Sequence, residues 1–133
     1  MTAPRTLPAP AAAAALAARR AWLFDLDGTL VDSAPAHEAA FRGALARLAP
    51  ELLGAFRYDA RAGASTREVI TGLGAAPEAV EPLVRLKQRL YREHVAAGRV
   101  AVFPGAHRLL GRLTARGRAV YLVTSGSRGS VAR

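Results

Sequence analysis

The chain contains no cysteine, a single lysine at Lys87, and only 6% aromatic residues among its 133. Without cysteine it can form neither disulfides nor thiolate metal sites, and it has no cysteine nucleophile; the compartment is left open by that absence alone. No apolar run approaches the roughly 20 residues of a membrane span, so no transmembrane segment is expected. The few aromatics are not interleaved with the basic residues, which removes the stacking platform that single-stranded nucleic acid needs. A formal charge of +9 invites a nucleic-acid partner. The basic residues are almost all arginine and are scattered instead of clustered, the pattern of a solvated surface, so nucleic acid is an unlikely partner.

What is present is globular composition, 51% hydrophobic and 22% charged, in a length that suits one domain and one core. Residues 1–20 are low in complexity, with Pro4, Pro8 and Pro10 ahead of an alanine tract that closes on Arg19-Arg20. They are expected to be a disordered tail, helical after Pro10. A secretory leader carries its positive charge before its apolar region, and here the arginines follow it, so the expected location is the cytoplasm.

The informative stretch is Trp22-Leu23-Phe24-Asp25-Leu26-Asp27-Gly28-Thr29-Leu30-Val31-Asp32-Ser33. An apolar run of strand type leads into two carboxylates one residue apart, which an extended strand points to the same side. Carboxylates that close repel unless a cation or a shared proton intervenes. Gly28 and Thr29 then turn the chain.

Downstream, Ser33 can cap a helix with Pro35 in its first turn and Phe41, Leu45 and Leu48 on one face, up to Pro50. His37, near the start of that helix, is read first as a surface histidine, with a position facing the active site as the alternative. A loop around Gly54 and Tyr58 follows. Ser65 and Glu68 have capping-box spacing and open a short helix through Val69, Ile70 and Leu73. A long helix from about Pro77 to Gly98 carries Val80, Leu83, Val84, Leu90 and Val95. Another, from Ala106 to Arg116, carries Leu109, Leu110 and Leu113, with Gly117 placed to end it in a left-handed conformation. Arg118 to Val123 then reads as a buried parallel strand, and the β, helices, β order implies a right-handed crossover in an α/β fold.

The segment Asp25-Leu26-Asp27-Gly28-Thr29, directly after an apolar strand, resembles the first motif of the haloacid dehalogenase-like hydrolases, most of which are magnesium-dependent phosphatases. The resemblance extends to a helical cap inserted after that motif. It takes in Gly63 as the cap-loop glycine, with Arg67 a candidate substrate contact suited to a phosphate oxygen pair. It reaches Thr124-Ser125-Gly126-Ser127, which is similar to the second motif. There Ser125 would donate its hydroxyl and Gly126 its amide to the phosphoryl group, with Thr124 the alternative in register.

The family likeness implies a parallel Rossmannoid core at 21–33 and 101–133 with the helical cap at 34–100. By the same likeness Asp25 is the nucleophile that forms an aspartyl-phosphate, and Asp27 the general acid and base. Asp25 and Asp27 would hold Mg2+, the latter through its carbonyl.

The family's third motif, a lysine or arginine, and its fourth, an acidic pair, normally follow the second, and only eight residues follow Ser125. Lys87 is not placed to replace that lysine. The expectation is therefore a C-terminally truncated core, weak or inactive alone, with its first strand exposed. The substrate implied is a small phosphorylated metabolite, foremost a sugar phosphate; glycerol-phosphate and phosphoglycolate phosphatases share the scaffold. The alternatives are a non-catalytic phosphate-binding or regulatory module and, further off, a sugar phosphomutase. Oligomeric state is not readable.

Overall fold

The computed structural model describes residues 10–59, 63–126 and 128. In chain order, helix α1 spans Pro10–Ala17, strand β1 Ala21–Phe24, β2 Val31–Asp32, α2 Ala34–Leu48, α3 Thr66–Gly72, α4 Pro77–Ala96, β3 Ala101–Val102, α5 Pro104–Ala115 and β4 Ala119–Leu122. The helix expected after Pro10 is present as α1. The loop expected around Gly54 is instead a short 3-10 helix, Pro50–Ala55. Pro50 both stops α2 and, with its fixed φ, starts the next turn.

Hydrophobic periodicity decides the helices. In α4 the apolar positions Val80, Leu83, Val84 and Leu90 recur on one face and are buried. That face meets the Ala40, Phe41, Ala44 and Leu45 face of α2 and the Val69 and Ile70 face of α3, with Phe56 closing the cluster. Gly43 allows α2 and α4 to approach closely, since a Cβ there would lie 3.0 Å from Leu90 Cδ1. The largest fully buried side chains, Phe56, Leu45, Ile70, Leu83 and Val69, all belong to this helical layer. The capping box at α3 forms as its spacing predicts: Ser65 Oγ accepts from the Glu68 amide while the Glu68 carboxylate accepts from the Ser65 amide.

Ser33 behaves differently from expectation. It sits at the N-cap of α2 with φ −91° and ψ −9° and makes no side-chain cap bond. The cap geometry requires an extended residue, and a helical one turns its hydroxyl away from the first amides. That hydroxyl interacts with Tyr91 instead.

The strands make two small sheets. β1 and β4 pair in parallel, in the register Ala21 to Ala119 through Phe24 to Leu122, as the β, helices, β order predicts. β2 and β3 pair antiparallel where the chain enters and leaves the helical layer, and the Phe103 amide donates to the Leu30 carbonyl at 2.9 Å beside them. The expectation of a buried strand at β4 is corrected. All four of its residues are exposed, because no described element lies over it except α5, whose Leu113 is buried. Leu23 in β1 is 68% exposed and Tyr121 in β4 56%. Gly117 ends α5 at φ +65°, the left-handed conformation predicted for it.

Candidate active site

β1 stops at Phe24, so Asp25 is the first residue beyond the sheet. The next turn is tight. The Leu26 carbonyl accepts from the amides of Thr29, Leu30 and Val31, and the Gly28 amide donates back to the Val31 carbonyl at 2.8 Å. This winding requires φ +72° at Gly28, a conformation that explains glycine there. It leaves Asp25 exposed and Asp27 half-buried.

Thr124-Ser125-Gly126 leave β4 at the same end of the parallel pair, since Val123 still donates its amide to the Phe24 carbonyl at 2.8 Å. Both strand tips, one acidic and one hydroxyl-bearing, thus open at one edge. The Gly126 amide donates to Thr124 Oγ1 at 3.0 Å, and Ser125 is exposed with Gly126. In this arrangement the Thr124 hydroxyl holds the loop while the Ser125 side chain stays exposed. Ser127 lies outside the described residues.

The resemblance also singles out Gly63 and Arg67 in the cap segment. Gly63 has φ +84°. Arg67 pairs with Glu81 of α4 on the surface, and Glu81 also draws Arg85 at 3.6 Å. The Arg67 contact holds the Glu81 carboxyl below its usual range. Among the described residues Arg67 donates to Glu81 and not to the first motif.

Two residues outside the expected site approach Asp27: His37, for which facing the site was the alternative reading, and Lys87. His37 is not a surface histidine: its side chain is 21% exposed, and its Nε2 lies 3.7 Å from Asp27 Oδ1. Its ring stacks on Tyr91 at 3.9 Å between centroids and 2° between planes. Lys87 is 4% exposed, and its Nζ is 2.9 Å from His37 Nδ1. The ammonium lies 4.7 Å from the Phe41 ring centroid and 5.2 Å from that of Tyr91. Burial, then the Lys87 charge, pushes the imidazole down to about 4 against the pull of Asp27. Burial pushes Lys87 down to about 8, with Asp27 opposing. Tyr58 and Tyr91 are both raised, first by burial and then by Asp27.

The signal for Lys87 was present in the sequence. It occupies the apolar stripe of α4 at i+4 from Leu83 and i+3 from Val84, an unusual place for the one lysine of an arginine-rich chain. His37 likewise falls four residues before Phe41 on the inner face of α2.

The resemblance implies a divalent ion at the first motif, which would need oxygen donors converging there. Magnesium prefers six oxygen ligands in near-octahedral geometry. Among the described residues no group of three His, Cys, Asp or Glu side chains converges on a metal position. Asp25 and Asp27 are a partial set and do not by themselves constitute a magnesium site. Also among the described residues, no helix is long and apolar enough to cross a membrane.

Comparison with known proteins agrees with this architecture. Residues 20–133 match the family model described as haloacid dehalogenase-like hydrolase. Hexitol phosphatase A of Escherichia coli (strain K12) is 41% identical over 113 residues, covering 81% of this chain and 49% of that protein. The chain therefore spans about half the length of this curated relative. A hydrolase from Pseudomonas syringae superposes with TM-score 0.67 at 26% identity, over 86% of this chain and 53% of the other. CbbY from Rhodobacter sphaeroides, solved in complex with phosphate, gives 0.65 at 25% identity, over 84% and 53%.

Proposed function

The chain belongs to the haloacid dehalogenase-like hydrolases, and from that premise we propose that the protein is a phosphomonoester hydrolase whose substrate is a small sugar or polyol phosphate. The observation that carries this is the meeting of two strand tips, Asp25 and Asp27 after β1 and Thr124-Ser125-Gly126 after β4, at one edge of a parallel pair. The likeness to a hexitol phosphatase supports the substrate class. The phosphate bound in the related CbbY structure supports the ligand chemistry.

In the proposed reaction the Asp25 carboxylate attacks phosphorus in line, and the ester oxygen departs with a proton donated by Asp27. The phosphoryl group is then bound to Asp25. Asp27, now ionised, takes a proton from water as the water attacks that phosphorus, releasing phosphate and restoring Asp25. Ser125 and the Gly126 amide donate to the phosphoryl oxygens, where charge builds up in the transition state. Of these, Gly126 must first give up its bond to Thr124. Gly63 and Arg67 are the proposed cap contacts, and Arg67 would have to exchange Glu81 for substrate.

Magnesium dependence follows the family resemblance, with the Asp25 side chain and Asp27 carbonyl as donors. These two donors fall short of a full ligand set, so no step above is routed through the ion. The proposed location is the cytoplasm. The incomplete donor set favours a second reading, a module that binds phosphate esters without turnover.

Borohydride reduction during turnover of a hexitol phosphate separates the two. The hydrolase reading predicts that mass spectrometry finds the reduced acyl-phosphate product at Asp25. Phosphate release that survives Asp25→Asn, or label at another residue, would overturn it. Substrate binding with neither release nor label supports the second reading.

A further inference from the structure

We propose that the outer seam between α2 and α4 is a docking groove for an acidic amphipathic helix of a partner protein. The groove uses none of the residues placed at the strand tips.

Its floor follows from the spacing of α4. Pro82, Leu86 and Leu90 recur every fourth position and so form one row along that helix. Two recesses of about 310 Å³ each open over this row, one at Leu90 against Ala39 and Gly43 of α2, the other at Pro82 and Leu86 against Leu48. They adjoin, because Leu86 and Leu90 are one turn apart on α4 while the α2 wall runs on from Arg47 to Leu48. From Pro82 to Glu93 the groove follows about 17 Å of helix axis. Leu48 is 46% exposed beside it.

The rims are cationic. Arg47 stands on the α2 side, Arg85 and Arg89 on the α4 side, and Arg99 at the far end; Glu93 is the one carboxylate that lines either recess. Arg99 is held there by the backbone. Gly98 ends α4 at φ +69°, the Arg99 amide donates back to the His94 carbonyl at 3.0 Å, and Arg99 Nη1 lies 3.0 Å from His94 Nδ1. Arg85 leans towards Glu81 at 3.6 Å. Among the described residues the side chains of Arg47 and Arg89 make no ion pair.

Charge and shape together select the occupant. An apolar floor between cationic rims complements a helix with an apolar stripe at i, i+4 and i+7 and carboxylates on both flanks. Both walls are helices whose amides are bonded internally, so an extended strand would find no backbone edge to pair with. A second copy of this chain is disfavoured by its own charge of +9. Nucleic acid would meet the arginines, but the recesses hold no Phe, Tyr or Trp on which bases could stack.

Selection of a phage-displayed library of helical peptides against the full chain tests this without presupposing a sequence. Enriched peptides are expected to be acidic, with apolar residues at i, i+4 and i+7. Fluorescence anisotropy should show their affinity falling about ten- to a hundredfold in Arg89→Glu, where like charges now face each other. Arg47→Gln should cost about two- to fivefold, and Leu48→Ala, which leaves the charge unchanged, about three- to tenfold. In the unaltered chain, amide NMR shifts caused by an enriched peptide should centre on Gly43, Leu48, Leu86 and Leu90, a readout that needs no variant to fold. No enrichment, enriched peptides without acidic bias, shifts centred elsewhere, or affinity unchanged in Arg89→Glu and Leu48→Ala would overturn the proposal. A short DNA duplex that displaces the peptides and shifts the same amides would overturn it too, and would reassign the groove to nucleic acid.

Discussion

Replacing Lys87 with methionine should make the fold more stable, and the reason lies in the cost of burying its charge. The side chain is 4% exposed and burial holds it at about 8 instead of 10.5. A lysine so displaced costs the folded state about 3 kcal/mol at neutral pH. The ammonium recovers part of that from the Phe41 and Tyr91 ring faces, at about 0.5–2 kcal/mol for each contact. Methionine keeps the apolar stem and removes both effects; with each ring contact at the lower end of its range, the net gain expected is up to about 2 kcal/mol.

The gain has a defined pH dependence. Between pH 8 and 10.5 the unfolded lysine holds its proton while the folded one has lost it, so wild-type stability rises with pH across that window. The advantage of Lys87→Met is therefore full below pH 8 and fades by pH 10.5. Urea unfolding followed by helical circular dichroism at a neutral and an alkaline pH measures it. A variant less stable than wild type at neutral pH, or a difference that does not vary with pH, refutes the reasoning.

Three further substitutions check the architecture. Leu83→Ala opens a cavity at a fully buried position where α2, α3 and α4 meet; it should cost about 2–5 kcal/mol in the same urea experiment. Ser65→Ala removes half of the capping box and should cost about 1 kcal/mol, with loss of helix signal confined to the start of α3 when followed by amide exchange. Gly28→Ala meets no neighbouring atom within 4 Å, so its cost should be purely conformational. About 1–2 kcal/mol is expected for a residue with a side chain at φ +72°, seen as a lower urea midpoint.

Local rules made much of this chain legible. Asp25 and Asp27 announced a strand tip, Ser65 and Glu68 a helix start, Gly117 a helix end, and the apolar spacing of α4 a buried face. In each case the cause lies within a few residues of the effect. What could not be read depends on residues far apart. His37 looks like a surface residue until α4 is laid over α2, which brings Tyr91 against its ring and Lys87 to its Nδ1. Ser33 has the right position for a cap, yet its helical backbone and the nearby Tyr91 deny it that role. The apolar residues of β4 suggested burial, but whether a strand is covered depends on neighbours that its own sequence does not name.

The central claim is that Asp25 performs nucleophilic chemistry on a phosphate ester. Its most direct test is release of inorganic phosphate from an aryl phosphate in magnesium-containing buffer, comparing the chain with Asp25→Asn. The account predicts release above the buffer blank that falls to the blank in the variant. Equal release from both proteins, or a folded chain that binds phosphate and releases none, would contradict it.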